Sequence, residues 1–131
     1  MKVFLYIAIL LSAFLFSFSK ECFDKKIEGD YKGVFYRQVP NSVAMRSNVS
    51  LHFAQNKFTG LSDMQKYPAI CQGSFFIDKG TLSVSNTCFF TAEFDWPYIF
   101  NGNYQYELSD AHLHIWRDYP DGRRDVYLLE K

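Results

Sequence analysis

Residues 71–88 read Cys-Gln-Gly-Ser-Phe-Phe-Ile-Asp-Lys-Gly-Thr-Leu-Ser-Val-Ser-Asn-Thr-Cys. Two short runs with apolar residues at alternate positions flank Asp78-Lys79-Gly80, the pattern of a β-hairpin. Because side chains alternate between faces, the correct register is the one that gathers the apolar residues on one side. A turn at Lys79-Gly80 sets Ile77 opposite Leu82, Phe75 opposite Val84 and Cys71 opposite Cys88, all on one face. The rival loop, Asp78-Lys79-Gly80 with a Gly bulge, pairs Ile77 with Thr81 and Phe75 with Ser83 and mixes the faces. The first register also brings two cysteines together. At a non-hydrogen-bonded position their Cα atoms stand about 4.5 Å apart, within disulfide reach. A Cys71–Cys88 bond is therefore expected, stabilising by about 3 kcal/mol in the chain-entropy account. Two buried free thiols are the alternative.

Outward from this hairpin the same alternation recurs, and no apolar pattern of helical spacing exceeds about two turns. Strands are expected at residues 31–38, 48–54, 57–62, 71–77, 81–87, 89–94, 104–109, 112–117 and 125–130. A turn at Asp110-Ala111 sets Leu108 against Leu113 and Tyr106 against Ile115, with Glu107, His114, Gln105 and Trp116 on the opposite face. A turn at Asp121-Gly122 sets Ile115 against Leu128 and Arg117 against Val126. The fold class predicted is all-β: a single small antiparallel meander of about eight strands, closed into a barrel so that no raw edge remains.

Ahead of the strands, Met1 to Ser19 reads as an address. Lys2 precedes an apolar run from Val3 to Phe16, and Ser17-Phe18-Ser19 offers small residues at the positions signal peptidase requires. Residues 1–19 are thus predicted to be a signal peptide cut after Ser19, leaving 20–131 as one domain and no membrane span after cleavage. An uncleaved anchor is the alternative, although the run falls short of the ~20 residues that span a bilayer. Charges at Lys20 and Glu21, just before Cys22, argue against lipidation there. A secreted or periplasmic location makes disulfides permissible, and Cys22 is left as a spare thiol on a chain terminus or as an intermolecular partner.

The chain has 131 residues, 14 basic and 14 acidic, with 14 Phe, 9 Tyr and 2 Trp. Zero formal charge gives no long-range attraction to phosphate backbones or anionic lipid, so no nucleic-acid partner is expected. The aromatic content excludes disorder.

Two groups of residues invite chemistry. His112 and His114 leave the same strand face, with Glu107 opposite His114. Two imidazoles at that spacing begin some metal sites, but the third ligand is not defined, and solvated surface histidines are the simpler reading. No metal or cofactor is expected. Glu93 and Asp95 beside Trp96 suggest a glycan-cleaving carboxylate pair, which needs one desolvated, protonated carboxyl. The competing expectation is that Asp95 caps a turn while Trp96 plugs one end of the barrel. No phosphate loop, nucleophile elbow or metal-spaced cysteine pair is present, and the seven glycines are dispersed. Asn48-Val49-Ser50 is a glycosylation acceptor motif.

Gly29-Asp30-Tyr31 opens the first strand, Leu51 to Gly60 forms the second hairpin, and Gly102-Asn103-Tyr104 through Leu129 forms a closing meander. On these residues the chain resembles a small lipocalin-like, calycin-type β-barrel, with Tyr31 where that family's Gly-x-Trp start has Trp. Cys71, Gly73, Phe75 and Thr87-Cys88 are faintly similar to secreted META-type domains. The resemblance implies a non-enzymatic secreted or periplasmic binding module holding a small hydrophobic molecule. No ligand-binding residue can be carried over from it. The alternative is a protein-interaction or inhibitor module that contacts another envelope protein, its barrel filled by Phe75, Ile77, Leu82, Tyr106, Ile115 and Leu128.

Overall fold

Alternation translates directly into the first hairpin of the sheet. In a computed structural model that describes residues 26–131, β4 (Cys71–Asp78) and β5 (Thr81–Asn86) pair as Ile77 with Leu82 and Phe75 with Val84. The expected signal peptide at 1–19 and the spare Cys22 lie outside the described residues. Lys79 and Gly80 both take positive φ (49° and 78°), the requirement of a two-residue turn whose twist matches the strands it joins. The remaining strands are β1 (Gly29–Val39), β2 (Ser42–Ala54), β3 (Lys57–Ser62), β6 (Gly102–Ser109), β7 (His112–Asp118) and β8 (Arg124–Glu130). Each pairs antiparallel with its sequence neighbour, and β1 pairs with β8, so the eight strands close into a meander barrel.

The β6–β7 hairpin has the expected register, Leu108 with Leu113 and Tyr106 with Ile115. The β7–β8 hairpin departs from expectation by one residue. Ile115 faces Tyr127 rather than Leu128, and Arg117 faces Asp125 rather than Val126. Pro120 is the reason. It occupies the second position of a turn from Tyr119 to Gly122, closed by Gly122 N donating to Tyr119 O (3.1 Å). Gly122 then takes φ 90° and Tyr119 pairs with Arg123, which is the three-residue hairpin loop with a Gly bulge. A one-residue slip reverses a strand's faces. Leu128 is accordingly 43% exposed, and Asp125, Tyr127 and Leu129 point inward.

The expected strand at 89–94 does not form. β5 pairs directly with β6, Leu82 opposite Tyr104, which leaves residues 87–101 no ladder to join. They make instead a long connection with a 3-10 turn at Trp96–Tyr98. This connection and residues 63–70 cover one end of the barrel, the loop end. The opposite, turn end carries the tight turns at 55–56, 79–80 and 110–111.

Aromatic rings occupy the barrel axis. Tyr127 lies against Phe35 (4.9 Å between centroids) and Phe100 (5.2 Å), and Phe100 lies against Phe58 (5.2 Å) and Tyr104 (5.2 Å). Phe53 bridges Tyr31 (6.0 Å) and Phe75 (5.1 Å) nearer the turn end. Of the six side chains expected to fill the barrel, Phe75, Leu82 and Ile115 are buried. Ile77 (38% exposed) and Leu128 are not, and Tyr106 is half-buried. Glycine makes the closure possible at Gly33, where a Cβ would collide with the backbone of Leu128 on the paired strand.

Burial raises the pKa of Tyr31, Tyr104 and Tyr127 above the ordinary tyrosine value of 10.0. A group whose folded pKa is raised adds stability in full below its unfolded value and loses it as pH climbs past that value. Urea midpoints should therefore hold up to about pH 10 and fall beyond it. Tyrosinate absorbance from these residues should appear only with global unfolding. Their ionisation in a still-folded barrel would contradict this packing.

Candidate functional site

The loop end is organised by three inward side chains on one level of three adjacent strands. The β1–β8 ladder places Arg37 opposite Asp125, and the β7–β8 ladder places Arg117 opposite the same Asp125. Arg37 donates twice to the carboxylate, Nε to Oδ1 at 2.6 Å and Nη2 to Oδ2 at 2.9 Å, and both side chains are almost wholly buried (3% and 2% exposed). Tyr119 Oη donates to Oδ2 at 2.7 Å. Burial by itself would lower the Arg37 pKa, but the hydrogen bonds and charge of Asp125 outweigh it and hold the guanidinium firmly protonated. The Tyr98 ring lies 3.6 Å from the Arg37 guanidinium carbon and stacks on the cation.

Two guanidinium groups facing one carboxylate leave a surplus positive charge, and the loop carbonyls meet it. Pro97 O accepts from Arg37 Nη2 (3.1 Å) and Arg117 Nη2 (3.3 Å), while Asn101 O accepts from Arg117 Nη1 (2.7 Å). The 87–101 loop is thus held at its middle by the barrel's only buried ion pair among the described residues. Its C-terminal half is tied to residues 63–70 by Ala69 N donating to Tyr98 O (3.1 Å) and Phe100 N donating to Ala69 O (2.8 Å). Asn86 secures the base, donating to the Ile70 and Phe100 carbonyls and accepting from Cys88 N.

The Cys71–Cys88 disulfide closes the N-terminal side of the same loop. The Cα separation is 6.4 Å rather than the expected value of about 4.5 Å, because both cysteines lie at the frayed limit of the ladder. β5 ends at Asn86, the last rung is Thr87 N to Gln72 O (2.9 Å), and Cys71 has left the extended region with φ 67°. The expected common apolar face therefore stops short of the cysteines: Cys71 is exposed and Cys88 half-buried.

At the turn end a depression of about 800 Å³ opens between the 55–56 and 79–80 turns, Tyr106 and residues 26–28. Its apolar floor is Ile27, Phe75, Ile77 and Tyr106, and Lys26, Glu28, Asp78 and Lys79 stand around the rim. Ile27 is buried and closes the barrel axis from below the depression.

The remaining candidates are dispersed. His112 and His114 do leave the outer wall with Glu107 opposite His114, but no group of three or more His, Cys, Asp or Glu among the described residues is placed to hold a metal ion. Burial lowers the His114 pKa, against the pull of Glu107, and its ring stacks on Trp116 at 4.5 Å. His52 lies elsewhere on the wall, 2.6 Å from Asp30. Glu93 accepts from Lys66 (3.0 Å) and Thr91 (3.0 Å), and those contacts lower its pKa, the reverse of what a glycosidase acid requires. The Asp95 side chain caps nothing, and Trp96 points outward, 72% exposed, rather than plugging the barrel. Tyr98, Ile99 and Phe100 fill that role. Asn48 of the glycosylation motif is exposed, its Nδ2 donating to Asp63 Oδ2 (2.9 Å).

Sequence reasoning missed the Arg37–Asp125–Arg117 row. Its signal was Pro120: placing the β7–β8 loop at Pro120-Asp121-Gly122 turns Asp125 inward beside a strand whose Tyr31, Phe35 and Arg37 already alternate inward.

Removing one partner of a buried ion pair leaves an uncompensated charge, whereas replacing both with apolar groups does not. Asp125→Asn should lose about 3–5 kcal/mol in urea unfolding, and replacing all three members, Arg37→Met with Arg117→Met and Asp125→Leu, should recover most of it. Reducing the disulfide should cost about 3 kcal/mol, read as a lower urea midpoint without loss of the far-ultraviolet β spectrum. No family model, curated protein or solved structure matches the chain.

Proposed function

We propose that the protein is a non-enzymatic, extracytoplasmic binding module that takes a small hydrophobic molecule at the mouth of the barrel. The depression at the turn end carries this reading. Its volume, about 800 Å³, falls within the range of small-molecule sites, and it joins a small apolar floor to a polar rim of Lys26, Glu28, Gln55, Asn56, Asp78 and Lys79. The binding surface lies at the mouth because the axis beneath it is taken up by Phe53, Phe75 and Tyr31. The rim carries two lysines and two carboxylates, so it favours no net charge in the ligand and suits a neutral or zwitterionic head above an apolar body. A disulfide in a chain of this size supports an oxidising compartment.

Titration with a fluorescent fatty acid tests the reading. Burying an Ile side chain is worth about 1.5–3 kcal/mol, so Ile77→Asp should weaken binding by roughly tenfold or more. Trp96→Ala, at the other end of the barrel, should leave affinity unchanged. Equal affinities for both variants and the parent would reject the mouth as the site.

A further inference from the structure

Among the described residues eight large hydrophobic side chains are exposed, and five of them lie at the loop end: Val43, Leu61, Met64, Phe89 and Trp96. Phe89 is 94% exposed and touches almost nothing among the described residues. Such side chains are ordinarily folded back onto a protein's surface, and here the frame beneath them is fixed. The loop bearing Phe89 and Trp96 is closed by the Cys71–Cys88 bond, tied to Ala69, and held at Pro97 O by Arg37 and Arg117. Tyr67 adds an edge contact to Tyr98 at 4.9 Å. The display of apolar tips is therefore built in.

Most charges around these tips are paired: Lys66 with Glu93 at 3.0 Å, Arg123 with Asp121 at 2.8 Å and Arg124 with Asp118 at 2.5 Å, while Asp63 and Asp95 have no ion-pair partner among the described residues. A surface of this kind has no extended patch of one sign with which to set a register against another folded protein. Protein interfaces also need shape complementarity and regularly spaced hydrogen bonds, and separate protruding tips provide neither. A lipid interface requires only apolar or amphipathic side chains that reach into the headgroup boundary, where Trp and Phe partition well. We infer that the loop end docks on the surface of a zwitterionic lipid bilayer by inserting Phe89 and Trp96, leaving the mouth at the opposite end facing away from the membrane. The inference does not depend on the mouth's binding a ligand.

Co-sedimentation with phosphatidylcholine vesicles tests it, using the protein as its host processes it and variants prepared in the same way. The parent protein should pellet with the vesicles. Phe89→Ser and Trp96→Ser should each lower the partition coefficient about tenfold, the worth of one large apolar side chain at an interface. Both positions are solvent-exposed, so the melting temperatures should match the parent. In a Trp116→Phe background the emission of Trp96 should shift to the blue on vesicle addition. Added salt should leave binding unchanged, as expected where no charge attraction operates. The inference is overturned if the parent stays in the supernatant or if both variants pellet equally with it. Binding that requires anionic lipid and falls with salt also overturns it. So does a stoichiometric protein partner lost in Phe89→Ser while vesicles are not bound.

Discussion

The ion pair between Arg37 and Asp125 sits across the seam where the first strand meets the last, and most of the loop end depends on it. A meander of eight strands closes only if its ends are brought together, and this is the buried ion pair that spans the β1–β8 seam. Buried charge is tolerated there because most of the strong donors and acceptors around it are matched among two guanidinium groups, one carboxylate, one phenol and two loop carbonyls, with Arg117 Nε left unpartnered among the described residues. Arg37 also carries the Tyr98 ring on its face, so the cation that closes the barrel wall also seats the loop that covers its end.

The two ends of the barrel consequently have different characters. At the turn end, the 55–56 and 79–80 turns leave a depression over the outermost core residues. At the loop end, a connection too long to be a simple hairpin is tied down at its base, middle and far side. It buries Phe100 in the core while sending Phe89 and Trp96 outward. Chain that lacks a strand to pair with ordinarily contributes little, but here the polar plug converts it into a fixed surface. The wall between the ends carries a further depression of about 720 Å³ lined by Lys32, Ser50, His52, Thr59, Leu61 and Gln72; there His52 pairs with Asp30, while His114 stacks on Trp116 elsewhere on the wall.

Much of the architecture was readable from alternation and turn chemistry. Lys79-Gly80 and Asp110-Ala111 specify their registers because only one pairing keeps the apolar residues on one face, and the same argument brings Cys71 to Cys88. It fails at Asp121-Gly122, where Leu128 and Leu129 are both apolar and pattern alone cannot choose between the faces. Pro120 decides in favour of the longer loop, and Asp125 then turns inward. Residues 89–94 mislead for a related reason: Phe-Phe-Thr-Ala-Glu-Phe has the composition of a strand, but the closed ladder leaves it no neighbour.

The all-β class, the hairpin registers set by two-residue turns and the cysteine pairing all follow from local side-chain periodicity and could be read along the chain. Which aromatics lie on the axis, that Trp96 faces out while Phe100 faces in, and that Arg37, Arg117 and Asp125 share one level emerge only once the barrel closes. Those outcomes depend on contacts between residues up to 88 positions apart, such as Arg37 with Asp125, and on competition for a limited interior volume that local patterns do not express.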